Sequence, residues 1–199
     1  MASTDKPSTH DSAKTVPESQ PSVHHPSINL FMIDLSLRLL LFASTVTAIV
    51  VMVTSKQTEM VIVSPLIRVP VARAAKFNHS PAFIYFVAAL SIACLYSILT
   101  LMASFASVSK RSPSNKLLFL LAIKDALMAA LVASATGTAG GVAYIGMKGN
   151  KHVGWTKICG VYDKFCRHIG SSIALAVLAS TVLVLLVMVS TYSLYRRSR

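Results

Sequence analysis

The chain has 199 residues, 54% of them hydrophobic and only 13% charged, with a mean hydropathy of +0.63. That is far more apolar surface than one soluble core of this size can hide, which excludes a soluble globular enzyme. Nineteen Lys and Arg against seven Asp and Glu give a net charge of +12; the basic residues sit beside apolar runs and no stretch interleaves them with aromatics, so the bilayer's headgroups and not nucleic acid are the expected counter-ions.

In chain order, residues 1 to 27 are rich in Ser, Thr, Pro and His and show no apolar face, which predicts a disordered tail. The first apolar run lacks a basic leader and a small-residue cleavage site, so it is expected to remain as an anchor. Four runs reach spanning length, at about 31–54, 82–106, 117–144 and 171–194. Each is at least roughly 36 Å long as a helix, against a hydrocarbon core of roughly 30 Å. The predicted fold is therefore an all-α integral membrane protein, a four-transmembrane-helix bundle over 28–195 with a short basic tail at 196–199. Ser80 and Pro81 mark the start of the second span as cap and first-turn residue. Gly137, Gly140, Gly141 and Gly146 predict that the third span frays or bends at its far end. A fifth apolar stretch, Met60 to Ala75, is short, carries Arg68 and Arg73 and is broken by Pro65 and Pro70, so it reads as extended chain.

Four spans put both termini on one side. With the termini inside, the inner segments hold Lys110, Arg111, Lys116, Arg196, Arg197 and Arg199. The outer loops then hold nine basic residues, Lys56, Arg68, Arg73, Lys76, Lys148, Lys151, Lys157, Lys164 and Arg167, so a raw count opposes that orientation. The compact inner loop and tail, which place their charges next to the membrane, and two cysteines suited to an oxidising compartment favour it.

Ionisable residues lie inside two of the apolar runs: Arg38 in LSLRLLLF, and Lys124 with Asp125 in LLAIKDALMAAL. Spans 1 and 3 cross in the same direction, and Arg38 and Asp125 each lie roughly 10 to 12 Å along their helices, so an interhelical pair would relieve both desolvation costs. The alternative partner for Arg38 is Asp34, one turn earlier, with Lys124 left to snorkel or to screen Asp125. The interhelical pair is preferred because charges inside a membrane face the bundle, and its expected role is structural. Ala129, Ala133, Gly137 and Gly141 place a small residue at every fourth position of span 3, a basis for close helix packing within or between protomers. Ala89, Ala93 and Ser97 form a shorter stripe in span 2, a weaker basis for the same packing. Cys159 and Cys166 flank GVYDKF in the second outer loop and are expected to form a disulfide, while Cys94 lies mid-span as a small apolar residue. Asn78-His79-Ser80 matches the glycosylation triplet weakly, since Pro81 and the membrane follow at once. No hydrolase, nucleotide or metal motif occurs, and His79, His152 and His168 lack ligand spacing with the cysteines, so no cofactor or metal is expected.

Taken together, RLLLF with Arg38, the FNHSPAFIYFVAALSIACLYS entry to span 2, Asp125 in span 3 and the ICGVYDKFC loop resemble the Casparian strip membrane domain protein-like (CASP-like) family of plants. The resemblance covers residues 28 to 195. It implies a four-helix plasma-membrane protein with cytosolic termini, assembly into homo- and hetero-oligomers, and a distant likeness to MARVEL proteins. It also implies that Arg38 and Asp125 are the family's span 1 and span 3 hallmark residues. Strip-building members have an acidic, aromatic first outer loop; SKQTEMVIVSPLIRVPVARAAKFNHS is basic with one Phe, which resembles group 1 and argues against a role in the strip itself. The function expected is that of a non-enzymatic, self-associating scaffold that organises a membrane or cell-wall-facing domain, with secreted wall proteins as further partners. The alternative is a small ion or proton channel or transporter that uses Arg38 and Asp125.

Overall fold

The computed structural model describes residues 27–62, 70–109 and 115–198; the expected disordered tail lies almost entirely outside them. Four helices, α1 (Ser27–Thr54), α2 (Pro81–Ser109), α3 (Asn115–Lys148) and α4 (Asp163–Ser198), carry the chain. All four are long and apolar enough to cross a membrane. Two strands, β1 (Lys56–Ile62) and β2 (Pro70–Lys76), lie between α1 and α2. They pair antiparallel with Lys56 opposite Lys76 and Ile62 opposite Pro70, so the described parts of the proline-broken stretch, 60–62 and 70–75, are extended, while 63–69 with Pro65 and Arg68 lie outside the described residues.

The helices form a ring in which α1 packs on α2 and α4, and α3 packs on α2 and α4, leaving α1 and α3 on a diagonal. The buried positions explain the packing. One buried series runs along each helix, at 38, 41, 45, 48, 52 and 55 in and just after α1, at 83, 86, 90, 93, 97 and 100 in α2, at 125, 129, 132, 136 and 139 in α3, and at 165, 169, 172, 176, 179, 183, 186 and 190 in α4, with Ser44, Ala89, Ala135 and Val182 buried beside it. Steps of three and four alternate in every helix, the repeat of left-handed knobs-into-holes bundles. The seam is narrow and rich in Ala, Ser and Thr. Buried hydroxyls of Thr45, Thr100 and Thr136 donate to carbonyls of the preceding turn and so cost the apolar interior no open donor. Ser172 instead donates across to Ala48 O of α1 at 2.7 Å, tying α4 to α1.

Several boundaries differ from the apolar-run expectation; α1 begins at Ser27 and α2 runs on to Ser109. α3 stays helical through Gly137, Gly140, Gly141 and Gly146 to Lys148 instead of fraying; Ala135 and Ala139 remain in the core, and in an apolar medium no water competes for the backbone hydrogen bonds. α4 starts at Asp163, not Ser171. Lys164, Arg167 and His168 interrupt the apolar run, but they lie on the exposed side of the helix while Phe165 and Ile169 continue the buried seam. Gln57 Oε1 on β1 accepts the Phe165 N–H at 2.9 Å, satisfying one of the unpaired donors of the new N-terminus. At the other end α4 runs on to Ser198, so the short tail at 196–199 is helical through that residue.

Ala179 in the α4 seam is fully buried, whereas Leu178 beside it is exposed. Ala179→Leu is therefore expected to overpack the bundle and destabilise it by about 1–3 kcal/mol, seen as a lower unfolding midpoint of the purified protein in detergent. Leu178→Ala should leave the midpoint unchanged.

Candidate functional site

Arg38 and Asp125 are each fully shielded from solvent in the bundle. Arg38 Nη2 donates to Asp125 Oδ2 at 3.3 Å across the diagonal, so the interhelical pair forms. The local alternative forms with it: Arg38 Nε donates to Asp34 Oδ2 at 2.9 Å, one turn back on α1. A planar guanidinium presents separate N–H groups in a fixed fork, which lets one cation serve two carboxylates in two directions. Among the described residues these are the ion pairs of the molecule. Lys124 takes no part, since it points out of the bundle.

The sequence reading missed the third participant. Tyr96, on α2, donates its hydroxyl to Asp125 Oδ1 at 2.6 Å. Both oxygens of Asp125 are thereby used, one by a cation from α1 and one by a phenol from α2, so the cluster ties three helices at one depth. A signal was present in the sequence. A tyrosine deep in an apolar span needs a partner for its hydroxyl, and Tyr96 lies 13 residues before the end of α2 while Asp125 lies 10 after the start of α3.

The span 3 stripe does not pack as a unit inside the protomer. Ala129 is buried, but Ala133, Gly137 and Gly141 face outward, and a Cβ added at Gly137 or Gly141 would meet nothing within 4 Å. The reason is geometric: at about 100° per residue, each four-residue step advances about 40°, so a strict i+4 series winds off the core face. The α3 core follows 125, 129, 132, 136 and 139 instead. In span 2, where the small-residue pattern is shorter, Ala89, Ala93 and Ser97 are all buried.

At the far end, Cys159 and Cys166 are joined, with Cα atoms 5.6 Å apart. The bond closes the chain entering α4, while the N–H groups of Ile158 and Cys159 donate to Gly146 O near the end of α3. Gly149 and Gly154 have φ of 70° and 71°, and Asn150 and Trp155 exchange two backbone hydrogen bonds of 2.9 Å, so the intervening loop is a tight turn. Tyr162 donates its hydroxyl to Arg73 O of β2 at 3.1 Å, docking the hairpin on the same cap. Asn78 is exposed in the single 3-10 turn Phe77–His79 before α2. Cys94 is a free thiol, partly buried in α2. Among the described residues no group of His, Cys, Asp or Glu has the arrangement to hold a metal ion.

The fold and this cluster define a multi-pass membrane protein built on a four-helix bundle with a charged tie at its centre. Residues 28–182 match the Casparian strip membrane protein domain. The chain is 57% identical over 189 residues to CASP-like protein 1D1 of Musa acuminata, covering 94% of this chain and 98% of that one. It is 59% identical over 167 residues to CASP-like protein 1D1 of Vitis vinifera, covering 84% and 80%, and 54% identical over 169 residues to CASP-like protein 1D1 of Arabidopsis thaliana, covering 84% and 86%. No solved structure matches. The chain belongs to the CASP-like family of membrane proteins, and its relatives place it with group 1D.

Tyr96→Phe keeps the ring and removes only the donor to a buried carboxylate, so it is expected to destabilise the protein by about 1.5–3 kcal/mol. The drop should appear in the unfolding midpoint in detergent. Tyr85→Phe, exposed near the start of the same helix, should not change it.

Proposed function

We propose that the protein is a non-enzymatic scaffold of the plasma membrane that self-associates and organises a membrane or cell-wall-facing domain. Both termini lie in the cytosol and the disulfide-closed cap faces outward, an oxidising side where such a bond persists. Its partners are further copies of itself and related family members, together with secreted wall proteins.

The observation that carries this reading is the outward face of α3. Gly in a helix interior costs about 1 kcal/mol relative to Ala, and no contact within the protomer compensates that cost at Gly137 or Gly141. A second helix does so, because small residues let two backbones approach closely in lipid, where hydrophobic drive between helices is absent. A conduction path would need water at Arg38 and Asp125, and both are sealed.

The outward position also sharpens the test. Gly137→Leu and Gly141→Leu are expected to reduce crosslinked oligomers in native membranes severalfold while leaving the abundance and unfolding midpoint of the protomer unchanged. Undiminished crosslinking in the double variant would contradict self-association through this face.

A further inference from the structure

The cap is strongly basic for a reason the bundle does not supply. Three exposed basic residues lie on the hairpin (Lys56, Arg73, Lys76), three at the end of α3 and in the following loop (Lys148, Lys151, Lys157), and two at the start of α4 (Lys164, Arg167). Against these eight, the described residues of the cap hold two acids, Glu59 and Asp163. None of the eight makes an ion pair with a described residue. Nor does membrane insertion call for them, because positive charge accumulates on the cytosolic side during insertion, and this end of the molecule is the opposite one in the proposed orientation.

The loop that carries the outermost of these charges also carries the chain's single tryptophan. Trp155 is 57% exposed, although a buried place is the usual one for so large an apolar ring. Its backbone is fixed by the paired bonds to Asn150, and His152 N–H donates to Asn150 Oδ1 at 3.0 Å, so the ring is offered from a built turn. Lys157 follows two residues later, its Cγ 3.4 Å from where a Cβ on Gly149 would stand, so both ends of the turn meet at that glycine. The loop stands higher than the end of α1. From the level of the Arg38–Asp125 pair, α3 continues 23 residues to Lys148 and α1 only 16 to Thr54. The difference of seven residues raises the loop about 10 Å above the end of α1.

An exposed indole in a turn that also carries three exposed lysines, lifted beyond the end of α1, matches a sugar ring that carries a carboxylate. The apolar C–H face of the pyranose lies on the indole, and the carboxylates along the polymer meet the lysines. We infer that the loop 148–157 is a binding surface for an acidic polysaccharide, a polyuronate, with Trp155 as the stacking platform and Lys148, Lys151 and Lys157 as the charge contacts. The inference rests on the outward orientation proposed above and not on self-association.

Because Trp155 is the only tryptophan, the full-length protein in phosphatidylcholine bicelles reports binding by its own fluorescence. De-esterified oligogalacturonate is expected to shift the emission saturably, with affinity falling as salt rises, while the fully methyl-esterified oligomer gives no shift. By calorimetry, Lys148→Gln/Lys151→Gln/Lys157→Gln should weaken binding about tenfold, Trp155→Ala should weaken it comparably, and Trp155→Phe should retain most of it. Mass mapping that shows the Cys159–Cys166 link in every variant establishes that the cap is folded. An equal response to the neutral ester, unchanged affinity in the lysine variant, or a shift produced only by phosphatidylglycerol in the bicelle would overturn the inference, the last result assigning the surface to lipid. Failure of the orientation would show separately, as Lys151 and Lys157 left unlabelled by an impermeant amine reagent on intact cells.

Discussion

A guanidinium and a carboxylate inside a hydrocarbon layer each carry a desolvation cost that only a well-placed partner offsets. In this protein the partners stand on helices that barely touch. α1 and α3 lie on the diagonal of the ring, and Arg38 reaches across it to Asp125. Tyr96 takes the second oxygen of that carboxylate from α2, and Asp34 takes the arginine's Nε from α1, while Arg38 Nη1 is buried without a hydrogen-bond partner among the described residues. The cluster therefore sets depth as well as proximity, since sliding any of three helices by one turn would strand a charge or a hydroxyl in the apolar interior. A seam of Ala, Ser and Thr specifies register weakly by shape alone, and the polar tie supplies what shape does not.

Above this tie the molecule is organised by covalent and backbone bonds. The disulfide, the carbonyl of Gly146 and the contacts from Gln57 and Tyr162 hold the ends of α3 and α4 and the β1–β2 hairpin as one cap. The two features divide the work: the buried cluster fixes how the helices stand in the membrane, and the cap fixes what they present outside it. The outward small residues of α3 belong to neither.

Much of this was legible in the residues. Span lengths predicted four helices, the proline-interrupted pattern predicted the extended chain described at 60–62 and 70–75, and the matched depths of Arg38 and Asp125 predicted their pairing. The faces of the helices were not legible, because positions toward lipid are as apolar as those in the core, and the alternation of three and four vanishes into a continuous run. For the same reason the residues alone do not tell which stripe packs inside the protomer. Four small residues in span 3 looked the stronger pattern, but an exact i+4 series drifts round the helix, whereas the shorter span 2 stripe stays in the seam. The start of α4 was hidden by Lys164, Arg167 and His168, whose charges end an apolar run without ending a helix. Tyr96 was missed because a single hydroxyl scarcely changes hydropathy.

Whether Arg38 and Asp125 act as one unit is tested most directly by a thermodynamic cycle. Unfolding free energies would be measured in detergent for Arg38→Met, Asp125→Leu and the double variant, all in an Asp34→Asn background so that the local partner cannot substitute. Each single change should cost about 3–5 kcal/mol, because it leaves one buried charge uncompensated. The double variant should be more stable than either single one. Single effects that add to within about 0.5 kcal/mol would contradict the account, since independent sites behave in that way.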